Sequence, residues 1–167
     1  MYVGIIINRS LADTTDSVTG LGDIHALVNA IGEMRRVARE AGFIAIKVDD
    51  IAEVNARFGF DAGDRVLAES AACLMDCSRG KGRLFRSTGP TFVALFDELG
   101  PEAIDEIASE IERFLGSPVL IGSLEYQPPI RVATLHLDSV DRQPVSILNE
   151  LKALLEEAPQ VPGTQLD

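Results

Sequence analysis

No apolar run in the sequence approaches the roughly 18–20 residues that a membrane span requires. Basic residues are also scarce. Fifteen Lys and Arg stand against 26 Asp and Glu, a net charge of −11. Such a surface repels phosphate backbones, which argues against a nucleic-acid partner. There are only two cysteines, Cys73 and Cys77, in a stretch that reads as helix. Helix neighbours four apart hold their Cβ atoms about 5–6 Å from each other, too far for a relaxed disulfide. No histidine or second cysteine pair lies at zinc spacing. Two thiols in a reducing, cytoplasmic compartment are expected instead. The two histidines, His25 and His136, have no partner at catalytic or metal spacing. The stretch Met1 to Ile7 is apolar but short and has no basic residue ahead of it, so a secretory signal is not expected.

What is present is ordinary globular material. Apolar residues make up 46% and charged residues 25% of 167 positions, the amount expected for one domain. Residues 1–15 read as a short strand (Tyr2 to Ile7) and a linker, the end of an upstream domain. Helical spacing of Ile24, Leu27, Val28, Ile31, Met34 and Ala38 predicts a helix from Ile24 to Ala41, capped by Asp23 and stopped by Gly42. Phe43 to Val48 reads as a buried strand. Short helices over Ile51 to Phe58 and Asp64 to Asp76 follow. Arg83 to Arg86 and Phe92 to Phe96 read as a hairpin around residues 87–91. Pro101 opens a helix. Val119 to Leu124 and Ile130 to Leu137 read as strands, and a last helix starts near Pro144. Residues 158–167 hold prolines and a glycine and read as a disordered tail or linker. A hairpin in the middle of the alternation predicts an α/β (α+β) fold with a mixed or antiparallel sheet under helices, not a doubly wound parallel sheet.

Three segments, in this order, resemble the GGDEF family of diguanylate cyclases, which make cyclic di-GMP from two GTP. Asp16-Ser17-Val18-Thr19-Gly20-Leu21 is similar to the opening D-x-L-T-G-L. Asn55, Gly59 and Ala62-Gly63-Asp64-Arg65-Val66-Leu67 look like N-D-x-x-G-H-x-x-G-D-x-x-L. Arg86, followed six residues on by Phe92, has the spacing of R-x-G-G-D-E-F. The resemblance covers residues 16–157 and implies the palm-like fold of nucleotide cyclases, a central sheet wrapped by helices.

The residues that would carry the chemistry depart from the family pattern. Phosphoryl transfer here implies two metal ions, usually Mg²⁺, held by hard carboxylate oxygens. The first carboxylate position, eight residues before Asn55, is Lys47. The signature loop becomes Thr88-Gly89-Pro90-Thr91-Phe92, with both acids gone and Pro90 fixing the backbone. No Mg²⁺ cofactor is therefore expected, with Asp49 and Asp50 the nearest acids to the lost site. The His after Gly59 is Phe60, and the late phosphate-holding A-K-x-x-G-R-N segment is unrecognisable around residues 154–163. Of the product-inhibition motif R-x-x-D only Arg79 remains, ahead of Gly80-Lys81-Gly82.

Asn55 and Asp64 match the guanine-reading pair. Guanine's N1–H and N2–H₂ suit a carboxylate, and an amide suits its acceptor edges. Helix capping by the same two residues is the plain alternative. Lys47 likewise has two readings: an ammonium meeting a GTP triphosphate in place of the metal, helped by the backbone N–H groups of Asp50 to Ala52, or a strand-end Lys paired with Asp49 or Asp50. The reading as a whole is a GGDEF-like regulatory module without cyclase activity. Its implied partners are GTP, neighbouring sensory or phosphodiesterase domains of a longer protein, and a second copy of itself. The alternative is a structural or dimerising domain that binds no nucleotide, and a less favoured one an active cyclase with an atypical metal site.

Overall fold

Alternation along one strand organises the molecule. In the computed structural model, which describes residues 14–37, 40–78, 80–115 and 117–166, β1 (Ala41–Val48) is covered on both faces. Ile44, Ile46 and Val48 point into one apolar cluster, while Ala41, Phe43 and Ala45 point into another. Successive strand residues face opposite ways, so a run with almost no polar residue is what a strand between two helix layers requires.

The first layer is α2 (Ile51–Phe58), α3 (Phe60–Ser78) and α4 (Pro101–Phe114). They bring Val54, Val66, Leu74, Ile104 and Ile111, all 0–1% exposed, onto the sheet. The second layer is α1 (Ile24–Val37) and α5 (Pro144–Glu157), which contribute Leu27, Ile31, Met34, Ile147 and Leu151. Burial of each such side chain is worth about 1.5–3 kcal/mol, so the two layers, rather than helix propensity, hold the elements in place.

The sheet has the order β2-β3-β1-β6, with β2 at Arg83–Arg86, β3 at Thr91–Asp97 and β6 at Ile130–Leu137. Every pairing in it is antiparallel. This is the helix-covered antiparallel sheet expected from the sequence. Asp23 caps α1 as expected, its Oδ1 accepting from His25 N (2.9 Å) and Ala26 N (3.0 Å).

Four expectations about the fold need correction. Gly42 does not stop a helix: α1 ends at Val37, and Gly42 pairs with Phe96 and His136 inside β1. A Cβ there would overlap Ile104, so glycine lets α4 lie against the strand. α3 begins at Phe60, ahead of the predicted Asp64, because Gly59 alone separates it from α2. Residues 119–124 are not one strand. β4 (Val119–Ile121) and β5 (Leu124–Tyr126) form a small hairpin that turns at Gly122, whose φ is 63°.

Finally, the tail is not loose. Val161 and Ile130 exchange backbone hydrogen bonds of 2.7 and 3.1 Å, and Thr164 bonds Gln127 through both its N–H and its Oγ1. Gly163 lies so close to Gln127 and Pro128 that a side chain would collide with their backbone. The proline and glycine that suggest disorder here shape a strap. The strand predicted over Tyr2 to Ile7 lies outside the described residues.

Candidate functional site

Lys47, Thr91 and Arg131 form a row across three strands, since Lys47 is in register with Thr91 on β3 and with Arg131 on β6. All three line a cavity of about 570 Å³ between the sheet and α5. Lys47 does not stand alone at the strand end. Its Nζ lies 3.8 Å from Asp49 Oδ1. Asp49 is buried, and its Oδ2 also accepts from Arg131 Nε (3.1 Å) and Gln160 Nε2 (2.7 Å). Arg131 in turn donates from Nη1 to the carbonyl of Ala158 (3.1 Å). One carboxylate thus ties the end of β1 to β6 and to the C-terminal strap. Of the two readings of Lys47, pairing with Asp49 is present in the structure. Asp50 is exposed, at a left-handed φ of 65°, and makes no side-chain cap.

The signature loop closes against the same strand end. Pro90 O accepts from Val48 N (3.0 Å), and Ser87 N donates to Thr91 O (2.8 Å). Arg86 braces it from outside, donating from Nε to Gly89 O (3.0 Å) and from Nη1 to both oxygens of Asp16. Phe92 is fully buried in the core. The positions to which the resemblance assigns the three carboxylates hold Lys47, Pro90 and Thr91. None offers the anionic oxygen that Mg²⁺ takes. Among the described residues no group of three or more His, Cys, Asp or Glu is placed to hold a metal.

Asn55 and Asp64 sit on the other helix layer, on α2 and α3. Neither side chain caps a helix. The bond at the end of α2 is made by the Asn55 backbone carbonyl to Gly59 N (2.9 Å), and Asp64 lies inside α3 rather than at its start. Asn55 Oδ1 is buried without a hydrogen-bond partner, and it rests directly against Gly63, the residue before Asp64. Arg79 lies outside the described residues.

Sequence reasoning missed Arg131 and Gln160. Arg131 could have been flagged as the one formal charge in the otherwise apolar and neutral Ile130–Leu137 strand. Nothing in the sequence marked Gln160, which acts only because the strap returns beside β1. His136 also has a partner, Glu40, whose carboxylate lies 3.0 Å from its Nε2.

The family profile described as "Diguanylate cyclase, GGDEF domain" matches residues 13–160. Two curated relatives are each 29% identical. One is the cyclic di-GMP phosphodiesterase PdeR of Escherichia coli, matched over 70% of this chain and 18% of its own length. The other is the diguanylate cyclase DgcS of Shewanella oneidensis, matched over 48% and 28% respectively. The chain thus spans less than a third of either relative. Among solved structures, the diguanylate cyclase SiaD of Pseudomonas aeruginosa, in complex with its activator SiaC, has a TM-score of 0.81 at 20% identity, covering 93% of this chain and 63% of that one. The GGDEF domain of FimX, also from Pseudomonas aeruginosa, has a TM-score of 0.80 at 17% identity, covering 87% and 93%. With the fold, the order of motifs and the profile in agreement, the chain belongs to the GGDEF family, the diguanylate cyclase domain found in cyclic di-GMP signalling proteins.

Proposed function

We propose that this domain is a catalytically silent regulatory module of a cyclic di-GMP signalling protein, one that takes up GTP without turning it over. The observation that carries the first part is the knot around Asp49. Where the reaction needs carboxylates open to a metal, this chain has Lys47, and its one nearby buried acid is shared among Lys47, Arg131 and Gln160. Charge neutralisation at the α-phosphate then has no metal to supply it.

The second part rests on Asn55 and Asp64. Asn55 Oδ1 is buried without a partner, which costs about 1–3 kcal/mol, and Asp64 is exposed on α3 beside Gly63. A guanine base offers its N1–H and N2–H₂ donors to the carboxylate and its acceptor edges to the amide. Lys47, with 44% of its side chain exposed, keeps a face for a phosphate.

Purified protein with GTP and Mg²⁺ or Mn²⁺ is expected to give no cyclic di-GMP. Calorimetric titration is expected to show GTP binding that is independent of metal and lost in Asn55→Ala/Asp64→Ala. Product formation would refute silence, and absent binding at millimolar GTP would refute nucleotide recognition.

One feature favours a second reading, that of an interaction domain. Phe58 and Phe60, on either side of Gly59, are 42% and 79% exposed. Apolar rings at the surface suit contact with a protein partner or a second copy. Sedimentation of the chain would test self-association.

A further inference from the structure

We propose that the cavity between α5 and the sheet binds a small amphipathic anion, a carboxylate or phosphate monoester head on a hydrocarbon or aromatic body. The cavity holds about 570 Å³, within the roughly 300–1,000 Å³ of small-molecule sites. Its walls divide by chemistry. Ala45, Val93, Leu148, Leu151 and Leu155 give an apolar lining, and Lys47, Arg131 and Lys152 give three cations. In a chain with net charge −11 this is a local reversal of sign.

The charge count selects the head group. Asp49 is paired with Lys47 and Arg131, and Glu156 also lines the cavity, one helical turn after Lys152. Three cations against two carboxylates leave an excess of one positive charge. That suits a single anionic head, whereas a triphosphate would bring several uncompensated charges against apolar walls. Lys152 makes no ion pair or hydrogen bond among the described residues, so its three donors are free for the head. Thr88 and Thr91 add hydroxyls at the same cavity. Ala45, Val93, Leu151 and Leu155 form its already buried floor, and the half-buried Ile24 and Leu148 are the apolar surface that a purely ionic ligand would leave against water and that gives the body its place.

This site shares Lys47 with the proposed GTP phosphates but does not use the guanine-reading pair, because Asn55 and Asp64 stand on α2 and α3, the layer on the opposite face of the sheet.

The test is calorimetric titration of the full chain with decanoate and with decyl phosphate. Inorganic phosphate serves as the head alone and decanol as the body alone. At least one of the two amphiphiles is expected to bind more tightly than either part, and the better one identifies the head. Lys152→Glu, on an exposed helix surface that tolerates the change, is expected to weaken binding about tenfold or more. Leu148→Trp, which fills the cavity from a half-buried position, is expected to abolish it. Asn55→Ala/Asp64→Ala is expected to leave it unchanged. The proposal is overturned if neither amphiphile binds at millimolar concentration, if inorganic phosphate binds as tightly as decyl phosphate, or if Lys152→Glu, shown folded by its thermal transition, binds like the parent.

Discussion

Arg86 Nη1 lies 3.0 Å from Asp16 Oδ1 and 3.2 Å from Oδ2, joining the opening motif of the family to its signature hairpin. The same guanidinium reaches Gly89 O through Nε. The opening motif and the signature hairpin are therefore in physical contact, and their contact is structural. Both side chains are more than four-fifths buried. Removal of one leaves the other's charge unmatched. Arg86→Ala is expected to lower stability by about 2–3 kcal/mol in denaturant titration. Arg86→Lys should recover only part of that, since an ammonium cannot span Gly89 O and Asp16 in the same way.

The same pair sets a pH dependence. Burial alone would raise the Asp16 carboxyl, but the hydroxyl and N–H of Thr19, together with Arg86, outweigh it and hold the group below its ordinary value. A carboxyl depressed in the folded state stabilises fully above its unfolded pKa, about 3.9. That contribution fades as pH falls through the lower folded value. Thermal midpoints of the parent chain and of Asp16→Asn should therefore differ most near neutrality and converge below about pH 4.

Gly63 is expected to be intolerant of change. A methyl group there meets the Asn55 amide, so Gly63→Ala has to separate α2 from α3 or turn the Asn55 side chain away. The helix propensity gained, about 1 kcal/mol, is smaller than the usual overpacking penalty of about 1–3 kcal/mol. Loss of GTP binding at a near-parental thermal midpoint would show that Asn55 moved. A lowered midpoint would show that the helices did.

Asp49→Ala is expected to free the strap. Arg131 and Gln160 lose their shared acceptor. Amide exchange over residues 158–164 should then accelerate, while α4, which has no bond to that knot, keeps its protection. Lys47→Asp alone should not produce cyclase activity, because Pro90 and Thr91 still supply no carboxylate.

The thiols should be quiet. Burial pushes Cys77 up to about 12, with Cys73 beside it adding to the rise, and burial also raises Cys73. Little thiolate exists near neutral pH. Mass spectrometry after iodoacetamide treatment is expected to show little labelling of the native chain and two labels after denaturation.

Periodicity and end signals in the sequence sufficed for most of the fold. The stripe in α1, the Asp23 cap, Pro101 at the start of α4 and the apolar run of β1 each follow from local chemistry. Errors fell where tertiary contact decides. Gly42 carries the local signal of a helix stop, and only the packing of Ile104 shows it to be a strand glycine. Gly163 is a similar case, chosen for close approach to Gln127 and Pro128 rather than for looseness. At the candidate site, spacing located Lys47 and the altered loop. It could not reveal that Asp49 is shared by residues 82 and 111 positions away.

The order β2-β3-β1-β6 also has a consequence for how the chain is made. β1 lies between β3 and β6, and β6 begins at Ile130, long after β1 ends at Val48. Until the ribosome has added β6, one edge of the largely apolar β1 has no neighbour. Unfilled edges of that kind recruit other strands. The distance along the chain between β1 and β6 also slows closure of the sheet. Nascent chains stalled before Ile130 should therefore be the species most in need of a chaperone.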